Sequence, residues 1–155
     1  MIRKLLWTLA ALLVLAQFFR IDKTVPAVDP ALDFARVAQP PADLLQILKS
    51  ACYDCHSYET RYPWYAEMAP VSWWLKNHVN EGREHLNFSD FGNLSDRDQL
   101  HAFEEAAEVL RAGEMPLGSY TWLHGEARLS EAQREQLATW FERYNAVGRA
   151  PGTPE

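Results

Sequence analysis

Cys52, Cys55 and His56 stand within five residues of one another, as Cys52-Tyr53-Asp54-Cys55-His56, and the chain has no other cysteine. Two thiols three positions apart can add to the two vinyl groups of one porphyrin, and a histidine placed directly after the second can reach under the ring and give iron an imidazole nitrogen. Other chemistries use the same residue types. A structural zinc site takes four nitrogen or sulfur ligands, commonly from two such pairs, and no second pair exists here. A thioredoxin-like dithiol needs a βαβ setting, and a plain disulfide or chance match is the least informative reading.

An iron held by His56 has a far side, and Met115 is the first candidate for it. It lies between Gly113 and Pro116, where a helix has just ended and the chain is stiffened, and a His/Met pair raises the haem potential into the electron-transfer range. His78 and His85, seven apart on one predicted helix face, offer bis-histidine ligation instead. Met68 falls only twelve residues past His56 and reads as packing; His101 and His124 read as exposed or capping residues. A porphyrin needs flat apolar walls, for which Trp64, Trp73, Trp74, Tyr120 and Trp122 are candidates, with ordinary helix packing as the alternative. Arg61 and Arg83 have the forked geometry that suits propionates, with a solvated surface position as the alternative. Ser57 and Ser89, the serines nearest a histidine, have no base and acid arrangement around them, so nothing resembles a hydrolytic site.

These residues must be positioned by helices. Leu44, Leu45, Ile47, Leu48 and Ala51 repeat at helical spacing after Pro41, which predicts a helix over 42–51 that delivers the cysteines at its end. A second helix is predicted from Val71 to about His85, with Gly82 weakening its end, and residues 57–70 between them read as an aromatic and proline-rich loop. Ser95-Asp96-Arg97-Asp98 opens a third helix that runs to Gly113, and Ser130-Glu131-Ala132-Gln133 opens a fourth that runs to Gly148. No period-2 alternation is present, so the fold class is all-α.

The chain divides into an apolar N-terminal helix at 1–21, a Pro-containing tether at 22–41, a domain at 42–147 and a flexible C-terminal tail at 148–155. The run from Leu5 to Phe19, behind Arg3 and Lys4, is an export signal or a membrane anchor, and either would place the domain outside the cytoplasm. For the tether, Val28, Leu32 and Phe34 packing back onto the domain is the alternative. Residues 1–41 carry a charge of +2 within a total of −6, leaving −8 on the remainder. An acidic domain repels a phosphate backbone, so nucleic acid is excluded as a natural partner, while a basic protein could be steered to it.

Several stretches together resemble a small bacterial family of haem-binding domain proteins: Ala51 to Ser57, Glu59-Thr60-Arg61, Pro63-Trp64-Tyr65, Ala69-Pro70-Val71-Ser72-Trp73 and Asn80 to Ser89. The likeness covers roughly residues 17–145, with Tyr62 where a tryptophan is expected and Tyr58 where an asparagine is expected. It implies a small cytochrome c-like helical domain around one covalently bound haem c, exported and often held at the inner membrane facing the periplasm. The family also occurs fused to cytochrome c or di-haem peroxidase domains, which implies redox proteins of those kinds as partners and defines no substrate. The segment from Gly113 to Tyr120 is similar to the ligand loop of c-type cytochromes. The expected role is electron transfer; a haem sensor or peroxidase-associated protein with a displaceable sixth ligand is the alternative.

Overall fold

In the computed structural model, which describes residues 1–147, the chain is helical and the described residues form no strand. The expected tail at 148–155, and Gly148 as a helix stop, lie outside the described residues. The helices are α1 (Ile2–Ala16), α2 (Phe34–Val37), α3 (Ala42–Ala51), α4 (Tyr53–His56), α5 (Val71–His85), α6 (Asp96–Ala112), α7 (Gly118–Leu123) and α8 (Glu131–Val147). Short 3₁₀ turns lie at Pro30–Leu32, Trp64–Glu67, Phe88–Asn93 and Gly125–Ala127.

Local chemistry accounts for the long helices. Ser95 accepts the Asp98 N–H at the start of α6, and Gly113, at φ 71°, ends it. That left-handed turn favours a residue without a Cβ. At α8 the capping box is reciprocal: the Gln133 N–H donates to Ser130 Oγ at 3.2 Å, and the Ser130 N–H donates to Gln133 Oε1 at 2.9 Å. Helices α6 and α8 pack antiparallel. Phe103 meets Phe141 at 4.8 Å and Tyr144 at 4.9 Å between ring centroids, while Arg111, about two turns on, pairs with Glu135 at 2.9 Å and with Glu142.

The segment 22–41 is not a free tether over its second half. Phe34 is fully buried, and its ring meets Phe88, Phe91, Phe103 and Trp140 edge-on at 4.9 to 5.9 Å. Ala38 is also fully buried. Asp29 and Asp33 start the two short helical turns there by accepting the N–H groups of Ala31 and Ala35. A single large aromatic that completes a phenylalanine cluster outweighs the extended preference of the prolines around it.

Helix α1 has no buried residue. At 15 residues it is about 22 Å long, against a hydrocarbon layer of about 30 Å. No helix among the described residues is long and apolar enough to cross a membrane, so the transmembrane form of the N-terminal expectation finds no support here. The end of α1 is fastened to the start of α5. Gln17 and Ala69 exchange two hydrogen bonds at 2.9 and 3.0 Å, Trp73 Nε1 donates to the Phe19 carbonyl at 2.8 Å, and Arg20 and Lys23 both pair with Glu67.

The role of Phe34 is checked by truncation. Phe34→Ala should destabilise the full chain by about 3–5 kcal/mol, read by urea unfolding, whereas Val28→Ala at an exposed position should stay within about 0.5 kcal/mol. Equal, small effects would show that residues 22–41 contribute nothing to the core.

Candidate functional site

A cavity of about 600 Å³ opens beside the main core, within the roughly 300–1,000 Å³ usual for cofactor sites. Its walls come from four directions: Cys52, Cys55 and His56 from the α3–α4 segment, Gly82 and Leu86 from α5 and its end, Val109 and Leu110 from α6, and Met115 and Tyr120 from the following loop and α7. The sequence spreads these residues over nearly seventy positions, and packing brings them to one hollow.

The segment that bears the two cysteines begins where α3 ends. Cys52 breaks the helix with φ −123° and ψ −39°, and the chain restarts as one turn in which the Cys55 and His56 N–H groups both donate to the Cys52 carbonyl, at 3.1 and 2.9 Å. Both thiols are free. Burial pushes the Cys52 thiol up to about 12, with neighbouring Cys55 adding to it, and pushes the Cys55 thiol up to about 11. No group of three or more His, Cys, Asp or Glu among the described residues stands close enough to hold a metal ion.

His56 is set by the backbone of α5. Its Nδ1 lies 3.0 Å from the Leu86 carbonyl oxygen, and because a carbonyl only accepts, Nδ1 carries the proton and Nε2 keeps a free lone pair. A ligating histidine is held this way by its outer partner. Burial lowers the His56 pKa, which favours the neutral, ligating imidazole.

Gly82 makes the approach of α5 possible. A Cβ there would stand 3.0 Å from the Cys55 carbonyl oxygen and 3.3 Å from its Cβ. A glycine inside a long helical pattern was the available signal for this contact, and sequence reasoning took it only as a weak point near a helix end. Asp54 was missed as well. It is 7% exposed, and its carboxylate accepts from the Arg61 N–H and guanidinium and from the Tyr120 hydroxyl, at 2.7 to 3.2 Å.

Met115 reaches the cavity because of Gly113. The left-handed turn folds the chain back on α6, where the Glu114 and Met115 N–H groups meet the Val109 carbonyl at 3.0 and 3.4 Å. His78 and His85 also line the cavity, both from α5. Tyr120 lines the cavity, and the tryptophans do not. Trp64 and Trp122 are about three-quarters exposed, Trp73 and Trp74 are exposed too, and none lines the cavity. Apolar aliphatic walls from α6 and the Phe88 and Phe141 rings take that place.

The two arginines are engaged elsewhere. Arg61 pairs with Asp54, while Arg83 donates to the Ser57 carbonyl and Thr60 Oγ1, both at 2.9 Å, and lies over the Tyr58 ring. Neither lines the cavity.

The residues present fit a porphyrin. Paired thiols stand on one wall, a histidine beside them has its Nδ1 held by a backbone carbonyl, a thioether comes from a separate element, and a glycine keeps the cradle open. Among the described residues, the fold and site therefore define a helical protein with a largely apolar side cavity of a size that suits a haem. Residues 11–143 match the family described as haem-binding domain, and the chain belongs to that family. No curated protein and no solved structure matches it.

Gly82→Val should destabilise the protein by about 1–3 kcal/mol through overpacking against Cys55 and lower the haem content severalfold. Thermal unfolding and the ratio of haem to protein absorbance check this; wild-type values for both would refute the close approach.

Proposed function

We propose that the chain is a monohaem c-type electron-transfer protein, with haem c attached through Cys52 and Cys55 and iron held by His56 and Met115. The observation that carries this reading is that both thiols, the free Nε2 side of His56 and the Met115 loop share one apolar cavity. Cys52 and Cys55 would hold the haem as thioethers: adding each S–H across one vinyl group would need no oxidant. Bound haem supplies a one-electron ferric/ferrous couple.

The residues do the rest. His56 is oriented by the Leu86 carbonyl, the Met115 loop turns back onto the Val109 carbonyl of α6, and the largely apolar walls would keep water from a bound iron. His78 and His85 are the weaker candidates for the far side. They belong to α5, the same helix that cradles Cys55 and orients His56, whereas Met115 arrives from a different element.

Partners follow from charge. Glu81, Glu105 and Glu108 line the cavity within a domain already acidic, which favours a basic face on a redox partner such as another cytochrome or a di-haem peroxidase, and disfavours nucleic acid. At the N-terminus, an apolar helix with no buried residue, behind Arg3 and Lys4, supports an export or anchoring segment. The haem domain would then lie on the periplasmic face of the inner membrane, or free in the periplasm after cleavage.

Expression with c-type maturation tests the attachment. Haem should stay with the denatured polypeptide, and Cys52→Ala with Cys55→Ala should abolish this; retention in the double variant overturns covalent attachment. Met115→Ala should remove the methionine-to-iron charge-transfer band and let added imidazole bind ferric iron. An unchanged spectrum that excludes imidazole would rule Met115 out as ligand and leave His78 or His85.

A further inference from the structure

The loop that carries Met115 has little apolar hold on the rest of the molecule. No side chain of α7 is buried, and Met115 itself is only half-buried, its N–H making a long 3.4 Å contact to Val109. What ties this segment across the cavity is polar. Tyr120, five residues after Met115, donates its hydroxyl to Asp54 Oδ2 at 2.7 Å, a contact that spans 66 positions in sequence.

Asp54 is well placed to be the fixed end. It stands between the two cysteines, is 7% exposed, and its Oδ1 also accepts the Arg61 backbone N–H at 2.9 Å. The Arg61 guanidinium closes on both carboxylate oxygens at 3.2 and 3.1 Å. A carboxylate held by three other donors keeps its position, and the fourth donor, the Tyr120 hydroxyl, makes a charge-assisted bond to it. The Tyr120 ring stacks on His124 with centroids 4.3 Å apart and planes 13° from parallel, and His124 Nε2 meets the Tyr65 hydroxyl at 2.8 Å. The stack fixes the direction of the phenol, so one hydrogen bond sets the distance between α7 and the attachment segment.

We infer that Asp54 and Tyr120 form a latch that closes the 113–124 segment over the cavity and positions Met115 for iron. Asp54 and Tyr120 are positioning residues: they act on the far-side ligand through the chain between Met115 and Tyr120 and do not touch the iron. The latch ties the far side of the cavity to the very turn that bears the cysteines. Opening it frees the thioether without disturbing His56, so the sixth position becomes available to a small external ligand. This inference rests on Met115 as the distal ligand.

Tyr120→Phe in the full-length, haem-loaded protein is the cleanest probe, because the ring and its stack on His124 remain and only the hydroxyl is lost. The methionine-to-iron band should weaken, and carbon monoxide affinity of the ferrous form should rise at least tenfold, with covalent haem content unchanged. Asp54→Asn should act in the same direction. Arg128→Gln, which removes the Arg128 bond to the Thr121 carbonyl of the same segment but spares the Tyr120 bond, should leave the band in place. Wild-type band and carbon monoxide binding in both latch variants would overturn the latch, as would an equal loss in Arg128→Gln. If the wild-type protein itself lacks the band, the Met115 assignment fails, and amide exchange of the haem-free full chain then judges the latch alone. Tenfold faster exchange across 113–124 in Tyr120→Phe supports it; an unchanged rate overturns it.

Discussion

The close passage of α5 across the Cys55 backbone at Gly82 is the contact on which the rest of the site depends. It is short because one partner has no side chain, and it determines two things at once. It brings the Leu86 carbonyl to His56 Nδ1, which decides the tautomer, and it places α5 along the cavity that the attachment turn opens onto. Were α5 one side chain further away, the histidine would lose its backbone acceptor and the cavity would lose a wall. The geometry of this candidate site is a consequence of helix packing distance, on which any chemistry of the cysteines and histidine depends.

Two kinds of interaction share the work of holding this arrangement. The large phenylalanine cluster around Phe34, Phe103 and Phe141 secures α6 and α8 by apolar burial, and it borders the cavity through Phe88 and Phe141. The irregular stretch after the attachment turn is held differently. Ser57, fully buried, donates to the Tyr53 carbonyl, Arg83 clamps Ser57 and Thr60, and Asp54 gathers Arg61 and Tyr120. A loop that cannot bury a regular apolar face is fastened through side-chain hydrogen bonds to backbone groups that would otherwise go unpaired. Such bonds are directional, so they specify geometry closely while adding little bulk.

Much of the frame was legible in the sequence for local reasons. The boundaries of α3, the serine caps of α6 and α8 and the glycine stop at Gly113 follow from spacing and capping chemistry that act within a few residues. The short helices α2, α4 and α7 were not legible, since four to six residues do not form a stable helix alone and persist only where tertiary contacts hold them. Residues 22–41 illustrate the same limit: prolines signal an extended chain, Phe34 packing back onto the domain is the alternative, and only the four aromatic rings that meet Phe34 from distant segments decide between the two.

For the site the division is similar. The residue types at Cys52, Cys55 and His56 and their spacing are written in one short segment, so their chemistry can be read without a fold, and Met115 stands out by the glycine and proline around it. Which aromatics and arginines surround a ligand cannot be read that way. Trp64 and Trp122 face solvent, and Arg61 and Arg83 are spent on internal acceptors, because wall membership depends on how helices far apart in sequence come to lie against one another. The sequence by itself determined the helical class and the close spacing of Cys52, Cys55 and His56, both set within a few residues; only the tertiary structure decided the cavity, the surroundings of Gly82 and Asp54 and the burial of Phe34, which arise from contacts between segments tens of residues apart.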